Sequence, residues 1–445
     1  MFFGCGSAAL LVALGYTSFA PAQSATPVSL QKRSLTISTW VVPEKPTAKS
    51  SEKPTSVPPT PGPDCVVTCG RALPLSAVAF SPDGSTLAVG GYREVLLWDL
   101  VGAKLAKRVG VGQIGAMVQS VVFTKGGKGL AAAEGTPCVA GAVHLFDFPG
   151  GQSAASFQEP KGVVYSLALS PDGKLLAGGC GDSAAYVWNL EDKKLVTTLK
   201  DHALAVVSTD FSPDGKYLAT GSIDKSVQVW EVGTWKPSPT KNIVGAPVRR
   251  CFIRKTQDVK PEAGRTTKIL AEFGLVAGGR DGGTLESCGE LRWPPLKAEM
   301  DRTPLDCVWV KGQAYVASSD STVKVFDEKR QQFELATTLR GHSGWVYGLA
   351  ANAEKTRVAS ASGDGSVKIW SVPDHNLLAT LVQLSPGTDE WLIVSSQGYF
   401  ATSTPGAIRW ETSGSKPAPQ KLAALENPEM VRQSLAGKAC PPPAL

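Results

Sequence analysis

From about residue 64 onward, short apolar runs alternate with polar turns, and the same order of runs and turns recurs along the chain. Three copies are AVAFSPDGSTLAVGGYREVLLWDL, LALSPDGKLLAGGCGDSAAYVWNL and TDFSPDGKYLATGSIDKSVQVWEV, which end at Leu100, Leu190 and Val232. In the shared Ser-Pro-Asp-Gly turn, proline presets φ and glycine supplies a positive φ, so the flanking runs are predicted to form a hairpin. The pattern therefore predicts an all-β chain of repeated antiparallel sheets.

An aromatic residue closes the last apolar run of each copy and sets the length of the repeat. Successive aromatics of this kind are 48, 42, 42, 63, 33, 44 and 40 residues apart. They are Trp98, Phe146, Trp188, Trp230, Trp293, Phe326, Trp370 and Trp410. A period of about 40 to 45 residues with four short strands per unit is typical of a β-propeller. Because one four-stranded sheet cannot bury both faces, the units are expected to stack around a common axis.

The repeats resemble the WD-repeat family, and two units carry the polar residues that the family uses inside a blade. These residues are His202, Ser222, Asp224 and Trp230 in the fourth unit and His342, Ser362, Asp364 and Trp370 in the seventh. The resemblance implies that each set forms a buried Trp-Ser-His-Asp hydrogen-bond chain. A His-Ser-Asp set also suggests a nucleophilic triad, but these residues recur at one spacing before a packing tryptophan. That arrangement favours a structural network.

The number of blades depends on the segment EWLIVSSQGYFATSTPGAIRWETS. Seven blades are expected, with this segment packed outside the ring. An eighth is expected instead if residues 389–412 form a short blade and DCVVTC, residues 64–69, supplies its outer strand. The tail has helical spacing from Pro428 to Gly437, which predicts a short C-terminal helix.

The C-terminal part, EWLIVSSQGYFATSTPGAIRW with ENPEMVRQSLAGK, resembles that of exported WD-repeat proteins of planctomycete-type bacteria. Some of those proteins carry a c-type cytochrome module, but no Cys-x-x-Cys-His motif for haem attachment occurs in this chain. The resemblance extends over residues 64 to 440.

Four segments are predicted. Residues 1–22 have an apolar stretch followed by Ala20-Pro21-Ala22 and are interpreted as an export signal, so the protein is expected in the periplasm, the cell envelope or outside the cell. Residues 23–63 are rich in Pro, Ser and Thr and predict a linker, although SLTISTWVV within them alternates like a strand. Residues 64–413 form the propeller and 414–445 the tail. No membrane span is expected after removal of the signal.

Composition limits the chemistry. The 45 Lys and Arg against 39 Asp and Glu give a net charge of +6 that is spread along the chain, so no nucleic-acid partner is expected. Four histidines in the whole chain leave little material for a metal site, and no metal or cofactor is expected. Residues 110–115 spell G-x-G-x-x-G, but an apolar strand pattern follows instead of a helix, which argues against dinucleotide binding. The nine cysteines do not reveal their pairing.

Three functions remain for an exported propeller without an evident catalytic set. The first is a non-catalytic scaffold whose faces bind a protein or peptide. The second is a structural component of a cell-envelope assembly, and the third is a propeller enzyme with a site in the axial channel. If a recognition face exists, the loops before the innermost strand and the Asp-containing turn of each unit are its expected location. The candidate binding residues there are Tyr92, Arg93, Arg280, Asp281 and Trp345, with Trp345 as the strongest because aromatic residues anchor interfaces.

Overall fold

The computed structural model describes twelve stretches of the chain. They are residues 33–37, 64–69, 73–137, 139–238, 242–244, 246–259, 268–279, 282–289, 296–329, 332–405, 408–411 and 425–441. Before the ring the chain forms β1 (Arg33–Ile37), which lies within the predicted linker segment, and β2 (Asp64–Cys69).

Seven antiparallel sheets follow, and each begins with four strands that are consecutive in the sequence. Blades 1 and 2 consist of β3 (Ala77–Phe80), β4 (Thr86–Gly90), β5 (Val95–Asp99), β6 (Lys104–Val109), β7 (Val118–Phe123), β8 (Gly129–Thr136), β9 (Ala140–Asp147) and β10 (Ser153–Phe157). Blades 3 and 4 consist of β11 (Val164–Leu169), β12 (Leu175–Cys180), β13 (Ala185–Asn189), β14 (Lys194–Leu199), β15 (Val206–Phe211), β16 (Tyr217–Ser222), β17 (Ser226–Glu231) and β18 (Asn242–Ile243).

The remaining blades extend the same order. Blades 5 and 6 consist of β19 (Val248–Val259), β20 (Lys268–Gly279), β21 (Gly282–Gly289), β22 (Leu296–Met300), β23 (Pro304–Val310), β24 (Gln313–Ser318), β25 (Val323–Glu328) and β26 (Phe333–Leu339). Blade 7 consists of β27 (Val346–Ala351), β28 (Arg357–Ser362), β29 (Ser366–Ser371), β30 (Leu377–Gln383), β31 (Trp391–Ser395) and β32 (Phe400–Thr402). The chain then forms β33 (Ile408–Glu411) and the helix α1 (Pro428–Leu435).

The first strands of the blades are in contact from each blade to the next, and β27 of blade 7 returns to β3 of blade 1. The ring therefore closes on itself. Side chains join neighbouring first strands: the hydroxyl of Ser120 accepts from the backbone N–H of Leu167 at 3.1 Å, and Asp306 Oδ2 accepts from that of Leu349 at 2.8 Å. Seven blades form the ring, which is the first of the two expected counts.

The cores lie between adjacent blades. Residues of blades 1 and 2 form one apolar cluster that includes Val95, Phe123 and Phe146. The repeat aromatics Trp98, Trp188 and Trp370 are at most 1% exposed, which explains why the sequence period follows them. Trp293 lies outside the described residues.

The alternative of an eighth blade is wrong. β31 pairs with β30, with Leu381 opposite Ile393, so this segment widens blade 7 to six strands. Burial explains why β31 pairs with β30. β30 is buried at six of its seven positions, and β31 covers the backbone edge that β30 would otherwise leave open. Asp64–Cys69 does pair with the strand that contains Trp410, but in a separate three-stranded sheet with β1.

The predicted C-terminal helix is confirmed and packs on the widened blade. The side chain of Asn427 caps its first turn by accepting from the backbone N–H of Met430 at 3.1 Å. Val431 and Leu435 are buried in the cluster shared by blades 1 and 7, and the hydroxyl of Ser434 donates to the carbonyl of Leu378 at 2.6 Å. The helix therefore reinforces the junction at which the ring closes.

Candidate interaction face

Antiparallel order places two kinds of connection at each end of the ring. The upper face holds the turns between the second and third strands of each blade and the loops that lead to the next blade. The lower face holds the turns between the first and second and between the third and fourth strands. The described positive-φ residues Arg93, Ser183, Lys225, Ser321 and Gly365 occupy the same place in five upper-face turns.

Blades 4 and 7 each carry a buried polar chain just below the upper face. In blade 7, Trp370 Nε1 donates to Ser360 Oγ at 3.0 Å, and Ser360 Oγ lies 2.8 Å from His342 Nε2. The other ring nitrogen of His342 lies 3.0 Å from Asp364 Oδ2, which also accepts from the backbone N–H of Ser343 at 2.9 Å. The chain fixes the inter-blade loop to the turn of its own blade.

Blade 4 repeats this geometry with other residue types. Trp230 Nε1 donates to Thr220 Oγ1 at 3.0 Å, and that hydroxyl lies 2.8 Å from His202 Nε2. His202 Nδ1 lies 3.1 Å from Asp224 Oδ2. Histidine, aspartate and tryptophan therefore occupy the places that the resemblance implies.

The hydroxyl in each chain differs from the one predicted, because Thr220 and Ser360 take the places that Ser222 and Ser362 were expected to fill. Trp230 pairs with Leu218, so Thr220 is the next residue on that side of the strand and Ser222 lies two residues further away. The hydroxyl of Ser362 donates instead to the carbonyl of Gly344 at 2.9 Å, and that of Ser222 donates to the carbonyl of Leu204 at 3.0 Å.

Electrostatics favour the uncharged histidine and the ionised aspartate. Burial alone would raise the pKa of Asp364, but its hydrogen bonds with His342 and Ser366 hold it well below its usual range. Burial lowers the pKa of His342. Ser360, His342 and Asp364 thus have the order of a nucleophilic triad, yet Ser360 is 0% exposed and already accepts from tryptophan. No substrate carbonyl can reach this hydroxyl without unfolding the blade.

The described candidate binding residues all lie on the upper face. Tyr92 is 49% exposed in the turn of blade 1, and beside it Arg93 is exposed and anchored by its N–H to the carbonyl of Ala116 at 2.9 Å. Trp345 is partly buried in the loop that enters blade 7, with its ring 6.3 Å from that of Tyr347. Arg280 and Asp281 lie outside the described residues.

A ring of side chains around the upper opening of the axial channel escaped the sequence analysis. In six blades, the first strand has a register shift around its second residue, and such a bulge turns that side chain out of the ladder. These six residues are all partly exposed. They are Gln119, Tyr165, Val207, Arg249, Leu305 and Tyr347. The repeated spacing Val-x-Ser in blades 2, 3 and 4 was the available signal.

A charged group lies deeper in the channel wall, on the first strands of blades 4, 5 and 6. Arg250 Nε is 3.6 Å from Asp306 Oδ1. The arginine side chain lies deep within the protein, yet 32% of its surface is accessible. Burial raises the pKa of Asp306 and raises that of Asp210 to about 7, while the charge of Arg250 opposes both shifts. Both carboxylates accept a backbone N–H from the next blade, which is a structural role.

The lower face has a groove of about 630 Å³ between blades 1 and 7 and the helix α1. Both acidic and basic side chains line it, among them Glu354, Arg357, Asp374, Glu429 and Arg432. No group of three or more potential metal ligands occurs within the described residues. The described helix is too short to cross a bilayer, and none of the described parts offers a longer apolar one.

Comparison with known proteins agrees with this architecture. The family model described as WD domain, G-beta repeat matches residues 61–99, 151–189, 193–231 and 333–371. A chain from the crystal structure of the mitotic checkpoint complex superposes with a TM-score of 0.56 at 15% identity, covering 80% of this chain and 99% of that chain. The protein is therefore an all-β, seven-bladed β-propeller with WD40 repeats and one short helix near its C-terminus.

Curated relatives match shorter parts of the chain. A stretch of 144 residues, 30% of this chain, is 29% identical to 14% of the periodic tryptophan protein 2 homolog of Dictyostelium discoideum. A stretch of 55 residues, 12% of this chain, is 51% identical to 18% of the protein transport protein sec13 of Schizosaccharomyces pombe. The chain thus spans less than a fifth of the length of each of these proteins.

Proposed function

We propose that this propeller is a non-catalytic scaffold, exported from the cytoplasm, that binds a protein or peptide partner across its upper face. The observation that carries the proposal is that the side chains near that face fall into two groups, one bonded inside the blades and one exposed. His202, His342 and their aspartates are used inside the blades, whereas Tyr92 and the channel ring remain exposed or partly exposed. A rigid face with exposed aromatic residues suits recognition of another polypeptide.

Two further observations support binding over catalysis. Sec13 proteins and a protein of a checkpoint complex share the repeats or the fold, and their names describe transport and assembly instead of a reaction. The closest approach to reactive chemistry in the described channel wall is the group of Asp210, Arg250 and Asp306. Since both carboxylates already hold the neighbouring blade, an axial-channel enzyme ranks below the scaffold.

Site-specific photo-crosslinking tests the proposal. The full chain would carry p-benzoylphenylalanine in place of Tyr92 on the upper face or in place of Val101, which is 69% exposed on the lower face. We expect a stoichiometric polypeptide to be captured from envelope and secreted fractions by the first variant and not by the second. Equal capture by both variants, or capture at Val101 alone, contradicts an upper-face partner.

Fractionation of the source cells tests the export. Recovery of the chain in the cytoplasm with residues 1–22 still attached would refute the predicted signal. If the crosslinked product is instead part of an insoluble envelope layer of fixed stoichiometry, a structural component is the better description.

A further inference from the structure

Cations on the upper face remain available to a partner, whereas most carboxylates there do not. Six exposed basic side chains make no ion pair with any described residue, and partly buried Arg249 at the channel opening makes none either. The six are Arg93, Lys161, Lys200, Lys225, Arg302 and Arg340. They are distributed around the ring and come from blades 1, 4, and the loops between blades 2 and 3, 3 and 4, 5 and 6, and 6 and 7.

The turn aspartates are committed to their own blades. Asp182 accepts from the Tyr186 hydroxyl at 2.6 Å, and Asp320 accepts from the Thr322 hydroxyl at 2.6 Å and lies 3.2 Å from Lys324 Nζ. The side chains of Asp224 and Asp364 are only 9% and 5% exposed. A partner's lysine or arginine would have to displace these internal donors, so the aspartates offer it little.

Four described carboxylates on this face are exposed, namely Glu159, Asp201, Asp301 and Asp389. Glu159 accepts from Trp188 Nε1 at 3.2 Å, and Asp301 lies 3.8 Å from Lys324 Nζ. Asp389 lies 3.7 Å from Arg108 Nη1, and Asp201 also has a partner. Six cations without an ion pair to a described residue therefore compare with four exposed carboxylates that are all engaged. The asymmetry concerns short-range pairing, since charges more than about 10 Å apart are screened at physiological salt.

Apolar side chains lie among the cations. Tyr92 and Leu204 are 49% and 47% exposed, and Val207, Leu305 and Trp345 are partly exposed. Nucleic acid favours a continuous basic groove that follows the phosphates, whereas single cations separated by apolar side chains match a polypeptide with alternating acidic and apolar residues.

We propose that the partner of the upper face is an acidic polypeptide segment whose Asp and Glu side chains pair with these cations and whose apolar side chains lie near the channel opening. This inference rests on the proposed function, because it names the chemistry of the partner that the scaffold binds.

Charge reversal on either face of the full chain tests the inference. The upper variant combines Arg93→Glu, Lys225→Glu and Arg340→Glu. The matched lower variant combines Lys128→Glu, Lys236→Glu and Lys355→Glu, three exposed cations in lower-face turns that also lack a carboxylate partner among the described residues. Lys225 and Lys355 both have positive φ, at 70° and 55°, so these two substitutions carry a similar backbone cost, and Arg93, with φ at 65°, adds one such position to the upper variant.

The probe is a short fluorescent peptide of repeated Asp-Phe-Glu-Leu units, with an Asn-Phe-Gln-Leu peptide and single-stranded DNA of equal length as comparisons. We expect the acidic peptide to bind the unmodified chain by fluorescence anisotropy and the upper variant to weaken binding by about tenfold or more. The lower variant should stay within about twofold, and the amide peptide should bind about tenfold more weakly than the acidic one.

Several results overturn the inference. They are equal losses in both variants, equal affinity for the acidic and amide peptides, and DNA binding that is tighter than peptide binding and lost in the upper variant. Crosslinking shows whether only the acidic-partner hypothesis fails or whether the scaffold hypothesis fails as well. If Tyr92 captures one polypeptide equally well with and without the upper substitutions, the scaffold stands and the acidic partner is wrong.

Discussion

Replacement of Ser360 by alanine should destabilise blade 7 more than its small size suggests. The hydroxyl accepts from Trp370 Nε1 at 3.0 Å and lies 2.8 Å from His342 Nε2, and the serine is 0% exposed. Without it, two buried nitrogen atoms lose their partner. Each unsatisfied buried group costs about 1 to 3 kcal/mol, so we expect a loss of about 2 to 4 kcal/mol in the free energy of unfolding.

A double-mutant cycle isolates this interaction. Trp370→Phe removes the indole N–H and leaves an aromatic ring, so Ser360→Ala should cost about 1 kcal/mol less in that background than in the natural chain. Denaturant unfolding followed by circular dichroism measures all four proteins. A cost for Ser360→Ala below about 0.5 kcal/mol, or equal costs in the two backgrounds, would refute the reasoning.

Three further predictions concern other contacts. Burial lowers the pKa of Lys368 from 10.5 to about 8, so between these pH values this lysine is protonated in the unfolded chain and neutral in the folded one. Stability should therefore rise with pH across that window. Lys368→Met should remove the rise and stabilise the protein at pH 7 by about 1 to 3 kcal/mol, as thermal melts at each pH would show. Glu94 lies 2.6 Å from Arg108 Nε and accepts from Gln383 of blade 7 at 3.1 Å. Glu94→Ala should therefore lower the free energy of unfolding by about 2 to 4 kcal/mol at neutral pH. An unchanged denaturation midpoint would show that this contact does not help to close the ring. Trp345→Ala should weaken partner capture while leaving the melting temperature nearly unchanged, and a large fall in that temperature would make Trp345 a packing residue instead of an anchor.

Much of the candidate site could be predicted from the repeat. The spacing of His342, Asp364 and Trp370 placed three members of the polar chain correctly, because each is tied to one turn or strand within a single blade. The hydroxyl was misplaced by two residues. Residues i and i+2 of a strand share a face, so the sequence Ser-Ala-Ser offered two equivalent positions, and the cross-strand register decided between them.

The sequence by itself determined the repeated hairpins, the propeller and the short helix, since these follow from local turn chemistry and a recurring apolar pattern, but it left seven or eight blades open. Only the tertiary structure decided where residues 391–402 pair and which cations remain free on the upper face. Pairing at a sheet edge depends on which buried strand has an open backbone edge in the folded ring. Whether a charged side chain lacks an ion pair depends on partners that lie far apart in sequence. A net charge of +6 spread along the chain gave no hint of a binding face, because the ring brings together on one surface residues that the sequence distributes over all its repeats.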